Sequence, residues 1–139
     1  MNANEEFYLA SSDRGFLSTV DGSGRPTVIP VCFVYESNRI YIPIDDKPKK
    51  GNSLARLRNI ASNSKAAFIV DRYSQDWARL SYLLIHGRGR LVERGDREEA
   101  RAKELLLRKY LQYRSMKLEI NAIIAIDVDE SKFWAFQQP

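Results

Sequence analysis

The chain has 139 residues, 44% of them apolar, and a formal net charge of +4 from 22 Lys and Arg against 18 Asp and Glu. That length predicts one domain over 1–139 with a small core. The mild basic excess argues against a dedicated nucleic-acid binder, and no apolar run approaches the roughly 18 residues of a membrane span. A single cysteine, Cys32, leaves no intrachain disulfide, and the polar, acidic N-terminus has no leader pattern, so a cytoplasmic protein is expected.

In chain order, residues 3 to 11 predict a short amphipathic helix with Phe7, Tyr8 and Leu9 on its apolar side. Phe16 to Val20 reads as a strand. Asp21-Gly22-Ser23-Gly24-Arg25-Pro26 is a hairpin turn, and Thr27 to Tyr35 is the returning strand. Ser37-Asn38 turns the chain into a third strand, Arg39 to Ile44, which predicts a three-stranded meander. A helix from about Ser53 to Ser62, capped by Asn52 or Ser53, carries Leu54, Leu57 and Ala61 on one face. Ala66 to Tyr73 is a fourth strand. A polar loop with Asp76-Trp77 leads to a long strand, Leu80 to Glu93, where Gly87 and Gly89 predict a bulge or bend. Asp96-Arg97-Glu98-Glu99 reads as a capping box opening a helix to about Leu111, with Leu105, Leu106 and Tyr110 on its apolar side. Strands Leu118 to Val128 and Lys132 to Phe136 complete seven. Strands that mostly follow one another favour a mainly β, antiparallel fold with flanking helices, closed toward a barrel.

Ile40 to Ile60 is the most informative stretch. A strand end delivers Lys47, Lys49 and Lys50 to Gly51-Asn52-Ser53, a helix start, and the helix carries Arg56 and Arg58. Cations, a glycine and unsatisfied N–H groups at one helix N-terminus suit a phosphate. The plain alternative is a solvated lysine loop. Pro30 marks an edge or bulge that leaves backbone free for a ligand. Trp77 and Trp134 either pack locally or stack on a flat ligand. His86 is the sole histidine and reads as a surface or satisfied group. Cys32 reads as a small apolar group within a strand. Asp45-Asp46 and Asp127-Asp129 lack the neighbours of a metal site, and no metal is expected. The chain shows no Ser-His-Asp, HExxH, CxxC or GxGxxG pattern, so the catalytic residue is unassigned. An enzyme here would rely on a cofactor for its chemistry.

Phe16-Leu17-Ser18-Thr19-Val20, Asp21-Gly22 to Gly24-Arg25-Pro26 and Val28-Ile29-Pro30-Val31-Cys32-Phe33 resemble the opening of pyridoxamine 5′-phosphate oxidase-like proteins, the FMN-binding split-barrel family. Asp46-Lys47-Pro48-Lys49, Leu57-Arg58-Asn59-Ile60, Val70-Asp71-Arg72-Tyr73 and Asp76-Trp77 resemble its F420-dependent branch. The resemblance runs from about Phe16 to Glu93. It implies an antiparallel split β-barrel homodimer that binds F420 or FMN and transfers hydride to or from a small organic substrate. By position it implies that Lys47, Lys49, Lys50 and Arg56 hold the cofactor phosphate. Backbone at Pro30, Val31 and Cys32 and at Ile42, Pro43 and Ile44 would border the ring, with Trp77 and Trp134 reaching a partner subunit's site. The printed chain ends Phe133-Trp134-Ala135-Phe136-Gln137-Gln138-Pro139, without the arginine segment of true pyridoxamine phosphate oxidases, which implies a role other than vitamin B6 synthesis. A non-enzymatic flavin or deazaflavin carrier or sensor is the first alternative. A basic barrel for nucleic acid is the second, disfavoured because no aromatics interleave with the lysines.

Overall fold

The computed structural model describes residues 1–44 and 52–137. Helix α1 (Ala3–Ala10) starts at a reciprocal cap, in which Asn2 Oδ1 accepts from Glu5 N at 2.8 Å and Glu5 Oε1 accepts from Asn2 N at 3.1 Å. Tyr8 and Leu9 are buried but Phe7 is 72% exposed. Three successive residues sweep about 200° of a helix, so they cannot all face the core.

Strands β1 (Gly15–Val20) and β2 (Pro26–Val31) form the expected hairpin, with Gly24 at φ +85° in its turn. Strands β3 (Val34–Glu36) and β4 (Arg39–Ile44) form a second hairpin, whose loop residues Ser37 and Asn38 sit at φ 52° and 64°. Two left-handed residues make the turn whose twist matches that of the strands. After α2 (Asn52–Ser62) come β5 (Lys65–Arg72), a 3₁₀ turn at Trp77–Arg79 and β6 (Ser81–Leu91). Helices α3 (Arg97–Lys109) and α4 (Gln112–Ser115) precede β7 (Ala122–Ala135). Among the described residues, one seven-stranded antiparallel sheet runs β2-β1-β5-β6-β7-β4-β3.

Several sequence expectations need correction. The predicted strand 27–35 breaks at Cys32-Phe33, and β4 pairs with β7 and β3 rather than with β2, so there is no three-stranded meander. Residues 118–128 and 132–136 contribute to one continuous β7, which begins only at Ala122. Its polar centre reads as a turn in sequence but is held extended by β6, where Arg88 pairs with Asp129 at 3.0 Å and His86 faces Glu130 at 3.6 Å. In α2, Ile60 is buried and Ala61 exposed, so the core face is Leu57 and Ile60. At α3 the cap is Asp96, as expected, but Glu99 accepts from Gly95 N at 3.1 Å rather than from the cap backbone.

Alternation along β4 and β7 divides the core. Ile40, Ile42, Ile124 and Ile126 point into the barrel with Phe33 and Phe68, while Tyr41, Ile123 and Ala125 point outward under Ala102 and Leu106 of α3. The predicted bulge in β6 falls at His86/Gly87. A charged cluster fastens α3 to the sheet. Arg90 grips Glu98 through both guanidinium ends at 2.7 and 2.8 Å and Asp127 at 2.8 Å, and Tyr41 donates to Glu98 at 2.8 Å. Arg90 accordingly pulls the Glu98 carboxyl down to about 2, and burial pushes the Tyr41 hydroxyl up to about 12. No helix among the described residues is long and apolar enough to cross a membrane.

Candidate functional site

The sheet's end strands, β2 and β3, are separated in the chain by only Cys32 and Phe33. The sheet must therefore curl until its ends meet. Whether the barrel closes depends on β2 and β4, which flank the junction. Asp21 N donates to Arg25 O, so Arg25, Thr27, Ile29 and Val31 turn their backbone groups toward β1. Pro26, Val28 and Pro30 turn theirs away from it. Asn121 N donates to Ile44 O, so Ile44 and Ile42 face β7 and Pro43 faces the junction. Extending the β3–β4 register by two residues would set Cys32 opposite Pro43. Neither Pro43 nor Pro30 has an N–H, so the ladder stops there and a seam stays open.

The sequence-predicted residues divide accordingly. Pro30 and Val31 lie on β2 with Cys32 just beyond its end, and Ile42, Pro43 and Ile44 lie on β4, so all six are on the two strands that flank this junction. Pro30 lies on an edge strand, as its type predicts. Cys32 is exposed at a strand break, a correction to its reading as a packed mid-strand residue; β2 has already ended at Val31. Lys47, Lys49 and Lys50 lie outside the described residues, and so do the side chains of Asn52 and Ser53. Arg56 lies in the first half of α2. That helix is set against the barrel by buried Asn59, which donates to Thr19 Oγ1 at 3.2 Å.

Trp77 and Trp134 are not brought to the Ile44 bank of the seam, although Trp134 lines a pocket with Phe16, the strand partner of Pro30. Trp134 stacks on Tyr82 at 5.6 Å and 19°, and Phe136 N reaches Leu80 O, so both tryptophans lie at one end of β6–β7. Ile44 pairs with Ala122 at the other end of β7. Trp134 lies twelve positions along β7 from Ala122, roughly 40 Å of strand. Trp77 is 63% exposed and Trp134 is 39% exposed. Between Trp134 and the seam, the outer sheet face carries half-buried Phe16, Ile69 and Leu84 in one cross-strand row.

Two residues that sequence reasoning did not assign to a site join its margin, Lys109 and Tyr110. Where β1 and β2 part, the Tyr110 hydroxyl replaces a ladder rung. It accepts from Phe33 N at 3.0 Å and donates to Asp13 O at 2.8 Å. Lys109 Nζ donates to Phe33 O at 3.0 Å and sits 3.8 Å from the Phe33 ring centroid. Burial pulls the Lys109 ammonium down to about 8, against the opposing influence of Asp13 and Cys32. Burial likewise raises the Tyr110 hydroxyl above its ordinary value. The sequence signal was slight: Tyr110 counted only as part of an apolar helix side, and a lysine in a last helical turn ordinarily faces water.

An antiparallel sheet curled until its ends meet at a proline-blocked seam is a split β-barrel. The chain belongs to the pyridoxamine 5′-phosphate oxidase family, whose model matches residues 2–135. It is 34% identical over 92 residues to the 5a,11a-dehydrotetracycline/5a,11a-dehydrooxytetracycline reductase of Streptomyces rimosus subsp. rimosus. That alignment takes in 66% of this chain and 63% of the reductase, less than two thirds of the relative's length. Similar solved structures include the heme storage protein HutZ of Vibrio cholerae, with TM-score 0.74, 15% identity, and coverage of 95% of this chain and 92% of that one. An FAD-binding protein of Mesorhizobium loti is similar at TM-score 0.68 and 15% identity, over 96% of this chain and 94% of that one. At such identity the likeness shows a shared fold.

Proposed function

We propose that this chain is an oxidoreductase that binds F420 or FMN along the seam, as a homodimer, and transfers hydride to or from a small organic substrate. The observation that carries the reading is the seam itself. Its banks present the carbonyls of Pro30 and Pro43 and the N–H group of Val28 where no ladder forms. A flavin or deazaflavin ring has an N–H flanked by two carbonyls, and these edge groups complement that pattern. When bound, such a cofactor supplies the hydride chemistry. The chain's own residues would hold and orient it: Ile42–Ile44 lead into the segment bearing Lys47, Lys49 and Lys50, which with Arg56 would take the phosphate. Sequence likeness to the F420-dependent branch favours F420 over FMN. The reductase relative supports an oxidoreductase and a reduction.

The half-buried outer row of Phe16, Ile69 and Leu84, with exposed Trp134 beside it, supports a second copy packed on this face. Such a copy would bring Trp77 and Trp134 to the partner's seam, whose Ile44 bank lies at the far end of β7 in their own chain.

Lys49→Ala combined with Lys50→Ala is expected to weaken cofactor binding at least tenfold, or about 1.4 kcal/mol. Fluorescence titration with FMN and F420 in parallel checks this and selects the cofactor; unchanged affinity would remove the phosphate-loop assignment. Multi-angle light scattering at micromolar concentration is expected to show twice the 16.0 kDa chain mass. A monomer would count against the shared site.

A further inference from the structure

Beside the seam, at Cys32, opens a cavity of about 550 Å³ lined in part by Asp13, Cys32, Lys109, Tyr110, Tyr113 and Leu118. Cys32 follows directly on β2, the strand that bears Pro30, and lines this cavity, so one residue joins the two. We infer that the cavity holds the hydride acceptor, a small carbonyl-bearing organic molecule, and that Lys109 hydrogen-bonds its oxygen and supplies the proton. The inference rests on the seam being the cofactor groove.

Three features of the cavity carry it. First, Lys109 is the only cation among its described lining residues, set among Tyr110, Leu111, Tyr113 and Leu118, with Asp13 and Gln112 as the other polar groups. That lining suits an apolar molecule with one electron-rich atom. Second, the ammonium is fixed in place. Phe33 O takes one of its three N–H groups, and the Phe33 and Tyr110 rings flank it at 3.8 and 5.4 Å. Third, the groups facing it are Asp13 before β1, Cys32 at the β2–β3 break, and Tyr110 and Tyr113 beyond α3. With its proton held at about 8, Lys109 is a competent donor near neutral pH.

The step balances with the cofactor of the proposed function as reductant. Hydride adds either to the carbonyl carbon or to the far carbon of a conjugated C=C. In both cases the displaced π pair comes to rest on the carbonyl oxygen. The Lys109 ammonium gives that oxygen a proton and becomes an amine, which regains a proton from water. Tyr110, locked to Asp13 and Phe33, is a positioning residue.

With cyclohex-2-enone as acceptor, Lys109→Met is expected to lower turnover about a hundredfold while leaving cofactor affinity within about twofold. Lys109→Arg is expected to retain more turnover than Lys109→Met. The donor must be protonated, so the wild-type rate should fall as pH rises through about 8. The arginine variant should show no such fall, because its guanidinium stays charged. A second readout needs neither cofactor nor turnover. Acetophenone is expected to slow acetylation of wild-type Lys109 by acetic anhydride several-fold, read by peptide mass spectrometry, without slowing that of exposed Lys65. Turnover in Lys109→Met within threefold of wild type, or absence of protection, overturns the inference. Should Lys109→Met not fold, Lys109→Arg and the protection assay decide it. Wild-type protein that binds neither FMN nor F420 would instead defeat the seam reading, and the protection assay would still report on the cavity.

Discussion

Gly87→Ala is expected to destabilise the protein by about 2–4 kcal/mol, because the added methyl has nowhere to go. A Cβ on Gly87 would lie 2.3 Å from the Asp127 carbonyl oxygen and 2.9 Å from Ile126 Cγ2. The first of these is backbone of the neighbouring strand, which cannot turn aside as a side chain does. Gly87 also marks the register shift between β6 and β7, so the two strands must separate to admit the methyl. Gly89→Ala makes the internal comparison. Its Cβ would meet only side-chain atoms, Ile60 Cδ1 at 3.0 Å, Ile60 Cγ1 at 3.1 Å and Ile126 Cδ1 at 3.2 Å, which a small rotamer adjustment can relieve where backbone cannot. Thermal unfolding followed by circular dichroism checks the pair. Gly87→Ala should lower Tm by roughly 5–15 °C and Gly89→Ala by much less. Equal effects, or a Gly87→Ala shift under about 2 °C, would mean that the strands part more easily than their close approach implies.

Phe33→Ala is expected to cost about 3–5 kcal/mol, a large part of the 5–15 kcal/mol that holds an ordinary domain together. Phe33 is fully buried and meets Phe68 edge-to-face at 4.9 Å. Its backbone accepts from Lys109 and donates to the Tyr110 hydroxyl, so the residue fastens the β2–β3 crossover to the end of α3. The loss therefore reaches beyond the core cavity it creates. Phe33→Leu fills most of that space and isolates the aromatic contribution, which should be about 1–2 kcal/mol. Urea unfolding measures both, and an unchanged m-value would show that the denatured state is unaffected. A Phe33→Ala loss below about 1 kcal/mol would show that the crossover is held by its hydrogen bonds alone.

Much of the secondary structure was legible in the residues, for local reasons. Asp21 to Pro26 and Ser37-Asn38 carry turn chemistry, and both turns are present. Gly87 signalled a bulge or bend, and the bulge is there. Misreadings arose where a partner strand overrode local preference. Asp129-Glu130-Ser131 resembles a turn until Arg88 and His86 stand across from it. The stretch 27–35 reads as one strand until its two halves take different neighbours, β1 and β4. The count of seven strands survived because one predicted strand divided and two merged.

The candidate site was legible to a different degree at each part. Pro30 and Pro43 are visible in sequence as ladder breakers, but nothing local says that their strands flank the same junction. Trp77 and Trp134 are visible as aromatics, and the length of β7 decides that one chain cannot bring them to Ile44. Lys109 carries almost no sequence signal, since its environment consists of Phe33 and Asp13, 76 and 96 positions earlier.

By itself the sequence determined the hairpins, the bulge, the basic segment after Ile44 and the family likeness, because these rest on neighbours a few residues apart. Only the tertiary structure decided which strands pair, where the barrel stays open and what surrounds Lys109. Those depend on contacts between residues far apart in the chain, where burial and strand register outweigh local propensity.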